Sequence, residues 1–257
     1  MAFTINFIAL ATLVGLMVGS FCNVCVYRIP RGESVIWPGS HCPNCQHDIA
    51  WYDNIPLLAW AWLGGRCRHC HQGIAIRYPL LEATVAISWG WLAWAIGPTP
   101  VLLQALVLMT LLWVLTLIDL ETMLLPDLLT LPGIVIGLAF AAWLGYFTDA
   151  LIGAAAGYGF FWLVAAVYRW LAGREGMGGG DFKLLAMLGA FMGWQALPFI
   201  VFAASLSGAL IGGAWLALRG KQSAPEIPFG PFLSLAGAVW FLWAADILRM
   251  WQQWLGH

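Results

Sequence analysis

Two pairs of cysteines and three aspartates are the residues of this chain whose types and spacing could do chemistry. Cys42-Pro43-Asn44-Cys45 and Cys67-Arg68-His69-Cys70 repeat a C-x2-C pair across a 21-residue insert. Each pair can turn two thiolates toward one ion, which is the spacing of a tetrahedral structural zinc site. Four thiolate ligands leave no open position, so such a metal would hold a fold and not catalyse. Two disulfides are the alternative in an oxidising compartment, and free or redox-active thiols are another. His41, His47, His69 and His71 read as solvated neighbours, any one of which could replace a cysteine ligand. Cys22 and Cys25 form a further C-x-x-C, but inside an apolar run, where two small buried side chains are the simpler reading.

The acids point to different chemistry. Asp119 closes an apolar run, Asp127 follows Leu124-Leu125-Pro126, and Asp181 ends the run Gly176-Met177-Gly178-Gly179-Gly180. An Asp at the centre of a membrane helix costs about 2.5–3.5 kcal/mol on insertion scales, so acids at such places usually have a function. The bland alternatives are a solvated anchor or, for Asp181, a helix cap. Gly176, Gly178 and Gly180 favour more for Asp181, because glycine backbone can approach another chain closely. Two carboxylates in a partly dry site share protons, so one can activate water while the other polarises a peptide carbonyl. No H-E-x-x-H, phosphate-binding loop or serine–histidine set competes with them.

The elements that must position these residues are membrane helices. Of 257 residues, 62% are hydrophobic and only 9% charged, against about a quarter charged in ordinary globular domains. Too few charges remain to clothe a water-facing surface, and a net charge of −1 gives no sign of a nucleic-acid partner. Apolar runs predict about eight spans, near 3–27, 79–97, 101–118, 131–147, 150–171, 184–195, 197–218 and 230–248, the sixth being short. The first run lacks a basic lead and an A-x-A-like site, so it reads as a retained span. With eight spans, ten of the eleven Lys and Arg gather on the side of loops 28–78, 119–130, 172–183 and 219–229. The positive-inside rule makes that side cytoplasmic. The expected organisation is a first helix (1–27), a cytoplasmic four-cysteine loop of zinc-ribbon type (28–78) and an all-α membrane domain (79–257). A loop of about fifty residues is small enough to need a staple such as zinc.

In combination these residues resemble the type IV prepilin peptidases. Gly178-Gly179-Gly180-Asp181 is similar to the G-x-G-D motif of intramembrane aspartyl peptidases. Gly19-Ser20-Phe21-Cys22-Asn23, Asn54-Ile55-Pro56, Arg77-Tyr78-Pro79, Ile118-Asp119 and Pro228-Phe229-Gly230-Pro231 look like the same family in the same order. The resemblance implies Asp119 and Asp181 as catalytic aspartates and leaves Asp127 without that role. It implies cleavage of the basic leader of prepilins or type II secretion pseudopilins after Gly, at the cytoplasmic face of the bacterial inner membrane. It also implies N-methylation of the new N-terminus from S-adenosylmethionine, although the sequence holds no glycine-rich nucleotide fold. Glu82 is a candidate for the donor site, with an ion pair to Arg77 or an interfacial anchor as its other readings. A peptidase of different specificity and a proton-coupled transporter are the competing functions. Transporters, however, tend to put ionisable groups at the midplane of repeated halves, and no repeat is visible.

Overall fold

The structure, a computed structural model, describes residues 2–174, 178–219 and 227–255. It is almost wholly helical and divides into two compact units, Met1–Val114 and Leu115–His257.

In the first unit, α1 (Ala2–Arg28) packs along α3 (Arg77–Ile96), with the short α2 (Leu58–Trp62) in the loop between them. Small residues set how closely the two long helices approach. A methyl group added at Gly15 would stand 2.8 Å from Trp89 Cβ, and one at Gly19 would stand 2.8 Å from Glu82 Cα. Such stretches draw helices together in lipid, where packing replaces the hydrophobic driving force. Beyond α1 the chain folds back around the buried Arg28, whose guanidinium donates to the carbonyls of Ser34, Pro38 and Gly39. Cys22 and Cys25 are buried free thiols on α1, as the simpler reading expects.

The helix α4 (Pro100–Thr122) runs through the boundary between units. The second unit adds α5 (Asp127–Leu144), α6 (Phe147–Ala172), α7 (Gly179–Met192), α8 (Leu197–Arg219) and α9 (Gly230–Leu255). Its centre is α7, where Leu184, Leu185, Met187, Leu188 and Ala190 are fully buried. A helix apolar on every side is buried on every side. Glycines again let it in: added methyl groups would stand 2.6 Å from Gly189 O at Gly153, 2.8 Å from Leu185 O at Gly157 and 2.7 Å from Phe191 Cδ2 at Gly137.

Among the described residues, seven helices (α1, α3, α4, α5, α6, α8 and α9) are long and apolar enough to cross a membrane. Leu10, Leu13, Trp162, Leu163, Phe202 and Leu210 lie exposed on them, a surface that suits lipid and not water. The remaining expected span, the sixth, is α7. Its 14 residues measure about 21 Å, short of a hydrocarbon core of about 30 Å. It begins at Gly179 and not near 184, so Asp181 and Lys183 belong to its first turns. Phe182 meets Tyr158 edge to face at 6.0 Å, and α6 continues to Ala172, a further distance of about 21 Å. Asp181 thus opens its own helix while lying level with the middle of α6.

Candidate functional site

Asp119 sits one turn before the end of α4, buried to 5% exposure. Its Oδ2 accepts a hydrogen bond of 2.9 Å from the backbone N–H of Gly230, the first residue of α9. A free helix N-terminus presents unsatisfied N–H groups, and a carboxylate there is stabilised both by the hydrogen bond and by the helix dipole. Gly230 admits the acid because it has no side chain: an added methyl would stand 2.5 Å from Asp119 Oδ2.

Asp181 stands half-buried in the first turn of α7, within electrostatic reach of Asp119. Leu125, from the short link joining α4 to α5, lies against both Gly180, the neighbour of Asp181, and Gly230, which holds Asp119. A methyl on Gly180 would lie 2.8 Å from Leu125 Cβ, and one on Gly230 would lie 3.2 Å from Leu125 Cδ2. Among the described glycines before Asp181, Gly180 is the one that space demands. Gly178 precedes the helix in extended backbone (φ −73°, ψ 142°) with open space beside it, and Gly176 lies outside the described residues. Asp127 is exposed at the start of α5 and pairs with Lys183 at 2.5 Å. The bundle therefore joins Asp119 and Asp181 and engages Asp127 elsewhere. Gly230 and Leu125 are site residues that the reading of acids and glycines missed as such, although Leu125-Pro126-Asp127 and Pro228-Phe229-Gly230-Pro231 marked the two spots. Two carboxylates sharing a confined site, one held by a backbone donor, can divide acid and base roles between them.

In the first unit the four cysteines converge. The sulfurs of Cys42, Cys45, Cys67 and Cys70 lie within 4.8 Å of one another, and this is the group that could hold a metal among the described residues. Cys42 Sγ and Cys70 Sγ are 3.8 Å apart. A tetrahedral ion with bonds of about 2.3 Å to sulfur gives an edge of about 3.8 Å, so the donor set and its size both suit such a metal. The two pairs form matching turns. Cys42 N–H donates to His47 O and Cys67 N–H to Gln72 O, while Gln46 and His71 each take φ of 56°. The N–H groups of Cys70 and then His69 hold the Cys67 thiol down to about 7, favouring the thiolate that a metal needs. The flanking histidines stay outside the cluster.

Also in this unit, Glu82 is buried on α3, and its Oε2 accepts the N–H of Leu57 at 2.8 Å. It lines a cavity of about 580 Å³ bordered by α1, α3 and the loop that carries the cysteines.

A helical membrane protein with paired acids inside its bundle and a four-thiolate module defines a class, the polytopic proteins that do acid–base chemistry within a helix bundle. Comparison with known proteins narrows it. Residues 13–96 match the bacterial peptidase A24 N-terminal domain, and residues 106–213 match the type IV leader peptidase family. The chain is 43% identical to the prepilin leader peptidase/N-methyltransferase of Aeromonas salmonicida, over 95% of this chain and 93% of that protein. Proteins of the same description from Pseudomonas aeruginosa and Neisseria gonorrhoeae are 41% and 38% identical, each over 97% of this chain and 95% of the relative. No solved structure matches. The chain belongs to the type IV leader peptidase family.

Proposed function

We propose that this protein is an aspartyl endopeptidase of the bacterial inner membrane that removes the leader of type IV prepilins or type II secretion pseudopilins. Cleavage falls after Gly on the cytoplasmic side, and the same enzyme then N-methylates the residue it exposes. The observation that carries the reading is the buried Asp119, held by Gly230 N–H within the field of Asp181. One carboxylate takes a proton from water as its oxygen attacks the peptide carbonyl, and the other protonates the carbonyl oxygen. Collapse breaks the C–N bond, and the leaving amine takes up a proton from the pair. Asp127, occupied by Lys183, stands aside.

Zinc at Cys42, Cys45, Cys67 and Cys70 is structural in this reading, holding residues 28–78 folded. S-adenosylmethionine would supply an electrophilic methyl group when bound; the new N-terminal amine would take it as the sulfonium leaves as its neutral thioether and the amine gives up a proton. With α7 counted as a crossing, ten of the eleven Lys and Arg gather on the side of loop 28–78, which supports the cytoplasmic placement. The test is incubation of the purified protein with a prepilin and S-adenosylmethionine, followed by mass spectrometry. A product shortened by its leader and heavier by one methyl group is expected; an intact substrate overturns the proposal.

A further inference from the structure

Glu82 is an acid that the peptidase chemistry does not use. It is buried, at 9% exposure, and it forms part of the wall of the cavity in the first unit. Its protein partners are neutral donors: the Leu57 N–H at 2.8 Å and the Ser20 hydroxyl beside it. A carboxylate can accept about four hydrogen bonds, so these two hold it in place without filling it. Leu57, which supplies one of them, takes φ of 61° and ψ of −50°, an unusual conformation that aims its N–H at the acid.

Three other ionic groups of the cavity wall, Asp53, Arg68 and Arg28, are already committed. Asp53 is paired with Arg68, and Arg28 is spent on three carbonyls. Buried charge is costly unless it is paired, so a carboxylate held only by neutral donors suits a cationic ligand. At about 580 Å³ the cavity falls in the range of roughly 300–1,000 Å³ typical of small-molecule sites. Trp60, also on its wall, has its indole N–H fixed to Ile74 O at 3.1 Å. That leaves a flat face of the kind that attracts cations and stacks on heterocycles.

We infer that this cavity is the chamber for S-adenosylmethionine, and that Glu82 is the carboxylate that meets the donor's positive charge; the inference rests on the methyltransferase reading above. Titration calorimetry on the full chain in detergent tests it. The wild type is expected to bind S-adenosylmethionine, and Glu82→Gln to bind it at least tenfold more weakly while keeping its zinc and melting temperature. Equal affinity in Glu82→Gln overturns the inference and leaves the methyltransferase reading standing if the wild type methylates. A wild type that cleaves prepilin but neither binds the donor nor methylates removes both. A second measurement needs no variant: ultraviolet cross-linking of radiolabelled donor to the wild type, followed by peptide mapping. Label within residues 20–82 supports the chamber, and label within 115–257 overturns it.

Discussion

Replacing Gly230 by alanine tests the Asp119 site with a single methyl group. The new carbon would stand 2.5 Å from Asp119 Oδ2, 3.2 Å from its Cγ and 3.2 Å from Leu125 Cδ2. Ordinary carbon–oxygen contacts close to about 3.3 Å, so α9 and the carboxylate must part by about 0.8 Å. A reacting group misplaced by about 1 Å can lose on the order of 100-fold in rate, so a loss of tenfold to a hundredfold is expected here. Stability moves less, because alanine is favoured over glycine in a helix by about 0.5–1 kcal/mol. That gain offsets part of the strain and of a weakened Gly230–Asp119 hydrogen bond, worth about 1.5–3 kcal/mol for a charged acceptor. Initial rates of prepilin cleavage by quantitative mass spectrometry, read beside a melting curve, separate the two effects. A Gly230→Ala enzyme that folds and cleaves within about threefold of wild type would refute the argument that this contact positions the acid.

Further outcomes follow from the same geometry. Asp119→Asn and Asp181→Asn should each abolish measurable cleavage, and the double variant should be little worse than either, as for residues acting as a unit; independent, multiplying losses in steady-state rates would contradict a dyad. Asp127→Asn breaks a pair with side chains 57% and 26% exposed, worth about 0–1 kcal/mol. Its cleavage rate should stay within about threefold, and an inactive variant would move Asp127 into the site. Elemental analysis should find one zinc per chain, lost on Cys67→Ser together with protease resistance of the loop. Ligation needs the thiolate, and the Cys67 thiol sits at about 7, so falling pH returns its proton and weakens the site. Zinc release to a chelator should therefore run faster at about pH 6 than at about pH 8, and a rate independent of pH would contradict thiolate ligation.

The cysteine module was legible because its information is local: two short knuckles each declare themselves within four residues. The membrane helices were legible because lipid demands long apolar runs. The sixth was misplaced because Asp181 and Lys183 looked like loop residues. A helix can begin with them when one acid faces another inside the bundle and the lysine reaches Asp127 on α5. Asp119 and Asp181 could be nominated but not brought together from spacing alone, since 62 positions separate them. Leu125 and Gly230 carried still less signal, because what matters about them is the room between helices, which no local pattern records. For Glu82 the sequence left an ion pair to Arg77 open. The structure gives it Leu57 as a partner, from within the cysteine loop between its two knuckles.

The crossing of α6 and α7 at Gly153 and Gly189, where the two backbones touch without side chains between them, acts as a fulcrum. Asp181 lies eight residues along α7 from Gly189, an arm of about 12 Å. A tilt of about 5° at that pivot swings the carboxylate by about 1 Å, the scale of misplacement that costs on the order of 100-fold. With an approach of 2.3 Å from a Gly189 methyl to Gly153 O, this contact therefore bears on where Asp181 stands. A side chain at Gly153 or Gly189 would press on the facing backbone and part the two helices, displacing Asp181 as well as costing stability.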